Sequence, residues 1–95
     1  MSTRFLVLYW FARAESGEGG EPRLGIAVPK QVGGAVVRNR VKRQLRESWR
    51  ARLERVPAAN DYVLIAKPGL PEAVDARGFD WLGERVDEVL QKAAA

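Results

Sequence analysis

Six side chains within nine residues carry most of the chemistry this sequence offers: Arg38, Asn39, Arg40, Lys42, Arg43 and Arg46. A guanidinium presents its N–H donors in a planar fork that matches phosphate oxygens, and an ammonium adds a compact positive charge. Asn39 both donates and accepts, so it can read a base edge or a ribose 2′-hydroxyl. Such a set grips a polyanion; it does not make or break bonds. The chain contains no His and no Cys, which removes imidazole bases, thiolate nucleophiles, disulfides and the usual zinc ligands. Among the twelve carboxylates, Glu47, Asp61 and Glu72 are the candidates for a protein-held metal, and they form no convincing ligand set. No catalytic residue and no metal site is therefore expected in the protein.

Spacing predicts how the cationic residues are held. No Gly or Pro interrupts the chain between Gly34 and Pro57, which predicts a helix over residues 35–53 with Gly34 as its N-cap and Val56, biased out of helical geometry by Pro57, marking its end. At 100° per residue, Val37, Val41, Leu45 and Ser48 share an arc of about 80°, with Trp49 on its edge. Arg38, Asn39, Lys42, Arg43, Arg46 and Arg50 take the opposite side, and Arg40 lies on a flank. Nine basic and two acidic residues fall between Lys30 and Arg55, against three basic and six acidic from Leu70 to Ala95. The net charge is +4 and the sequence pI is about 10.0. Like charges at i,i+4 repel by tenths of a kcal/mol per pair, and a phosphate backbone would supply the missing counter-charge. A solvated helix surface is the alternative, but such surfaces interleave their signs, and here only Glu47 and Glu54 do so.

The remaining residues predict the scaffold. A chain of 95 residues, 46% hydrophobic, suits one domain with one core. Residues 4–13 read as a strand, with Phe5, Val7, Tyr9 and Phe11 on one face and Leu6, Leu8, Trp10 and Ala12 on the other, both faces at least partly covered. Arg4 before this apolar run and Ala12-Arg13-Ala14 after it imitate a secretory signal, but the Val, Tyr, Trp and Phe content favours a strand. The run is also too short to span a bilayer. The polar loop 16–22 can close a hairpin to a second strand, 23–28, which Pro29 ends. Gly33-Gly34 then turns the chain into the basic helix. A third strand, 61–66, is apolar without alternation, as for two buried faces. A Pro- and Gly-containing connection leads to an amphipathic helix over 79–92, marked by Phe79, Leu82, Val86, Val89 and Leu90. This order predicts an α+β fold, a small two-layer sandwich with a mixed β-sheet covered by helices. If the second and third strands are parallel neighbours, the basic helix is their β-α-β crossover, by default right-handed.

The run Gly25-Ile26-Ala27-Val28-Pro29-Lys30, then Val32-Gly33, then Ala35-Val36-Val37-Arg38-Asn39-Arg40-Val41-Lys42-Arg43 with Arg46-Glu47, closely resembles the protein subunit of bacterial ribonuclease P. Val7-Leu8-Tyr9, Asp61-Tyr62-Val63 and Ala66-Lys67-Pro68 extend the resemblance over most of the chain. The resemblance implies the fold of the second domain of ribosomal protein S5, with a left-handed crossover. It implies a cofactor protein for a catalytic RNA that removes the 5′ leader from precursor tRNA, one protein per RNA, in the cytoplasm and away from membranes. Arg38, Asn39, Arg40, Lys42, Arg43 and Arg46 match the family's RNA-docking positions. Tyr9, Lys30 and Lys67 match a cleft that holds the single-stranded leader, where an aromatic stacks a base and lysines track phosphates. A core role for Tyr9, and ordinary solvation for Lys30 and Lys67 at strand ends, are the alternatives. No cofactor is expected on the protein, and Mg2+ is expected at the RNA active site.

Three departures qualify the match. The family's usual N-terminal helix is expected to be absent, because Phe5 follows Met1 so closely; Pro29 stands where serine is common; Gln31 and Gly34 replace basic or polar residues at the cleft mouth. Three rival readings compete with it. A ribosomal-type RNA-binding protein would suit the same basic helix, a protein nuclease would need the carboxylates above, and a membrane or calmodulin-like partner would need the apolar face that the core already uses.

Overall fold

β-branched and aromatic runs build three strands: β1 (Leu6–Ala12), β2 (Leu24–Ala27) and β3 (Asn60–Ala66). They are seen in a computed structural model that describes residues 2–12, 23–57 and 60–94. β3 is central, in the order β1-β3-β2. It pairs antiparallel with β1, with Leu8 opposite Leu64 and Tyr9 opposite Val63, and parallel with β2, with Ile26 opposite Leu64. A parallel pair cannot be joined by a tight turn. The crossover is α1 (Ala35–Arg50), entered through a 3-10 turn at Lys30–Val32. After β3 come α2 (Leu70–Arg77) and α3 (Phe79–Ala94). The fold is therefore the expected α+β sandwich with a mixed sheet.

The period-two alternation sends Leu6, Leu8, Tyr62, Leu64 and Ala66 to one face, where all are buried. Val41 and Leu45 of α1, Leu70 of α2 and Leu82, Val86 and Val89 of α3 complete that core. Trp49 leans on Tyr62 with ring centroids 5.1 Å apart, and the Tyr62 hydroxyl donates to the Pro57 carbonyl at 2.8 Å, so this buried phenol keeps a polar partner. Gly33 is required by close approach: a Cβ there would lie 2.9 Å from Val37 Cγ1, in the first turn of α1.

Several sequence expectations need correction. β1 begins at Leu6 because residues 2–5 fold back: Thr3 N–H donates to the Leu6 carbonyl at 2.8 Å, and Ser2 bridges to Val7. Phe5 leaves the strand pattern and meets Trp81 edge to face at 5.2 Å. β1 and β2 do not form a hairpin, since β3 lies between them; the loop 16–22 lies outside the described residues. The connection before the last helix contains α2, whose signals were present as Pro71 in the first turn and Gly78 just past the end. Gly69 and Gly78 flank it at φ 95° and 92°, conformations that L side chains rarely adopt. β3 is buried on one face only, with Val63 and Ile65 half-buried on the other.

The basic helix also ends earlier than its sequence suggests, at Arg50, followed by a 3-10 turn at Leu53–Arg55. Just past that end, Arg52 turns inward. Its Nε and Nη2 donate to the two carboxylate oxygens of Asp87, and its Nη1 donates to the Ser48 carbonyl at 3.0 Å. The guanidinium lies so close over Gly83 that a Cβ there would overlap it. This pair is largely shielded, so Arg52→Gln is expected to lower stability by about 1–2 kcal/mol. Gly83→Ala should act through the same contact and add little in the double variant. Denaturant titration of the three variants tests this, and fully additive losses would mean that the two residues act separately.

Candidate nucleic-acid interface

α1 buries Val41, Leu45, Ser48 and Trp49, with Val37 partly buried against the same core. That packing fixes the rotation of the helix. Asn39, Arg43, Arg46 and Arg50 are exposed, and Arg38, Arg40 and Lys42 are half-buried at the borders. The six predicted residues thus occupy the outward side and the two flanks of one rigid element. No acidic residue stands in the first turn and no side chain caps Gly34. The helix dipole therefore adds to the positive field of Arg38 and Arg40 instead of being neutralised.

Not all of the cations counted in the sequence point to a partner. Arg40 donates to Asp75 of α2 at 3.4 Å, a long contact between a half-buried arginine and an exposed carboxylate. Such pairs hold a side chain weakly and release it readily. Arg52 and Arg55 both engage Asp87, Arg55 at 3.1 Å. Arg52 and Arg55 are therefore structural, while Arg38, Lys42, Arg43, Arg46 and Arg50 make no ion pair among the described residues.

The second predicted group lies at the sheet. Tyr9 is 50% exposed, which decides against a core role. It stands on the face opposite the helices, with Val7, Val63 and Ile65 beside it. Phe11, two residues further on the same face, is 59% exposed. The sequence placed Phe11 on this face without marking it as a site. The expectation of two covered faces thus fails here, and an aromatic surface stays open among the described residues. Because β2 and β3 run parallel with Ala27 opposite Ile65, Lys30 and Lys67 leave the same end of the sheet. Lys30 is exposed. Lys67 is not simply solvated: its Nζ donates to Ser2 Oγ and to the Thr3 carbonyl, each at 2.6 Å. It anchors the N-terminal turn while keeping its charge at the strand end.

Glu47, Asp61 and Glu72 sit on α1, β3 and α2, and no three potential ligands gather among the described residues. No helix there is long and apolar enough to cross a membrane.

Fold and surface together define a class: a small α+β protein whose crossover helix presents a fixed cationic side, beside a sheet with an open aromatic face. The chain belongs to the ribonuclease P protein family, whose sequence profile, Ribonuclease P, matches residues 1–94. It is 42% identical over 84 residues to the ribonuclease P protein component of Mycolicibacterium gilvum, covering 88% of this chain and 67% of that protein. Against the same component from Idiomarina loihiensis it is 47% identical over 70 residues, covering 73% and 55%. The chain spans 39% to 67% of the length of the curated relatives it matches first. Its fold is similar to the RNase P protein of Thermotoga maritima, with a TM-score of 0.80 at 27% identity over 97% of this chain and 80% of that one. The Staphylococcus aureus RNase P protein gives a TM-score of 0.76 at 27% identity, covering 98% and 78%.

Proposed function

We propose that this chain acts as the protein subunit of ribonuclease P, assisting a catalytic RNA in endonucleolytic removal of the 5′ leader from precursor tRNA. The observation that carries the reading is α1: its core arc fixes the helix so that Arg38, Asn39, Arg40, Lys42, Arg43 and Arg46 face away from the protein or flank that side. In this reading those residues dock on the RNA subunit, with guanidinium forks on phosphates and Asn39 on a base edge or 2′-hydroxyl. Tyr9 stacks an unpaired leader base on the open sheet face, and Lys30 and Lys67 supply positive charge at the sheet end where the leader enters. The protein's part is electrostatic and positional, and Mg2+ held by the RNA carries the hydrolysis. One protein serves one RNA, in the cytoplasm.

The test is reconstitution of the full chain with a bacterial ribonuclease P RNA at low magnesium, where RNA alone is slow. Leader removal should be fast with both components, slow with the RNA alone and absent with the protein alone. Cleavage of precursor tRNA by the protein without RNA would overturn this reading. Co-purification of 16S or 23S RNA fragments in place of ribonuclease P RNA would overturn it in favour of a ribosomal partner.

A further inference from the structure

A second cationic site lies beyond the N-terminal turn that Lys67 anchors. A cleft of about 500 Å³ opens between the N-terminal turn, α2 and α3, a volume within the usual range for ligand pockets. Its walls include Arg4, Arg77 and Arg85 around the aromatic pair Phe5 and Trp81. Each guanidinium lies against a ring. Arg4 is 5.3 Å from the Phe5 centroid, and Arg77 and Arg85 are 5.8 and 5.4 Å from that of Trp81. A cation held over a ring by its quadrupole makes no hydrogen bond to it, so each ring can position an arginine without consuming its donors. The i,i+4 spacing of Arg77, Trp81 and Arg85 runs across the junction of α2 and α3.

Counter-charge at the cleft is thin. Arg85 Nη2 is 3.8 Å from Glu84 and 3.9 Å from Glu88, beyond hydrogen-bond reach of both. Arg85 Nε is shielded from solvent with no acceptor, and Arg4 and Arg77 make no ion pair among the described residues. Three guanidiniums with spare donors, against Glu88 in the lining and Glu84 beside Arg85, suit an anion that accepts planar, bidentate hydrogen bonds.

We propose that the Arg4, Arg77 and Arg85 cleft is a second RNA contact that binds phosphodiester groups of the RNA backbone, built from residues that α1 does not supply. The identity of the anion as RNA rests on the function proposed above. An aromatic wall beside the guanidiniums favours a nucleic-acid strand over an acidic peptide, because sugar and base can pack where the backbone is held.

The test measures affinity of the full chain against monovalent salt, with ribonuclease P RNA bound to precursor tRNA as the probe. Arg77→Gln/Arg85→Gln should lower the salt slope by about 1.4 to 1.8, and affinity at ~0.15 M salt by about ten- to thirtyfold, for two lost contacts. Arg4→Gln, outside every helix and strand, should lower the slope by about 0.7 to 0.9. Thermal melting accompanies each measurement, so that a folding loss is not counted as a binding loss. Unchanged slopes in both variants at unchanged melting overturn the proposal. Arg43→Gln/Arg46→Gln in α1 is measured alongside. A slope drop there with none in the cleft variants overturns the cleft alone, whereas a drop in the cleft variants with none in α1 keeps the cleft and overturns α1 docking.

Discussion

Replacing Arg38, Arg40 and Arg43 together by glutamine is expected to weaken binding to ribonuclease P RNA by about 50- to 150-fold at ~0.15 M salt, and to lower the salt slope by about 2.1 to 2.7. The expectation follows from counter-ion release: each phosphate neutralised by a cation contributes about 0.7 to 0.9 to the slope. The fold should survive, because the core arc of α1 runs through Val41, Leu45, Ser48 and Trp49 and none of the three residues belongs to it. Removing like charges from one helix side also relieves repulsion. Within the triple change the contributions should differ. Asp75 competes for Arg40 through one long Nη2 contact, so Arg40→Gln alone should cost less than Arg43→Gln. Asp75→Asn should strengthen RNA binding, by less than about fivefold. A triple variant with an unchanged slope would show that α1 is not the docking surface. A slope that falls while melting stays put assigns the loss to phosphate contacts.

The basic helix is legible because one periodicity decides it: apolar residues at 37, 41 and 45 rotate the cations outward whatever the rest of the fold does. Its C-terminal end was not legible. Arg52 belongs to the same basic run in sequence, and only the approach of α3 shows that it turns inward to Asp87, over Gly83, beyond the end of the α-helix at Arg50. Counting charge along the chain therefore overstated what faces a partner. Strand order was hidden for a similar reason. A short polar loop after β1 is compatible with a hairpin, and the insertion of β3 between β1 and β2 is a long-range choice that local turn chemistry does not encode. α2 is faint in the sequence although Pro71 and Gly78 mark its ends, because an eight-residue helix with three buried residues carries little periodicity. The arginine cleft at Trp81 was beyond reach: Arg4 is more than seventy positions from Arg77 in sequence, and only the fold-back at Thr3 brings it there.

Tyr9→Ala should weaken leader-bearing precursor tRNA by about 1–3 kcal/mol and mature tRNA hardly at all. The structure sharpens this expectation, because a half-exposed Tyr9 on the open face has no core to leave behind when it is truncated. What it does lose is a cross-strand neighbour, Val63, and such pairs contribute roughly 0.2–1 kcal/mol to the sheet. Melting should therefore shift only slightly. Tyr9→Phe keeps the ring and should bind nearly as well as the parent chain if stacking is the interaction. A loss in Tyr9→Phe as large as in Tyr9→Ala would transfer the role to the hydroxyl. Phe11 offers a second ring about 7 Å along the same strand face, so Phe11→Ala should cost further affinity only when the leader is long enough to reach it. Lys67→Ala is a poorer probe of the same surface, since its ammonium also ties down Ser2 and Thr3. Binding of precursor tRNAs with successively shortened leaders to the reconstituted holoenzyme separates the cases. A Tyr9→Ala penalty that persists after the leader is removed would place the residue in the scaffold instead of the leader path.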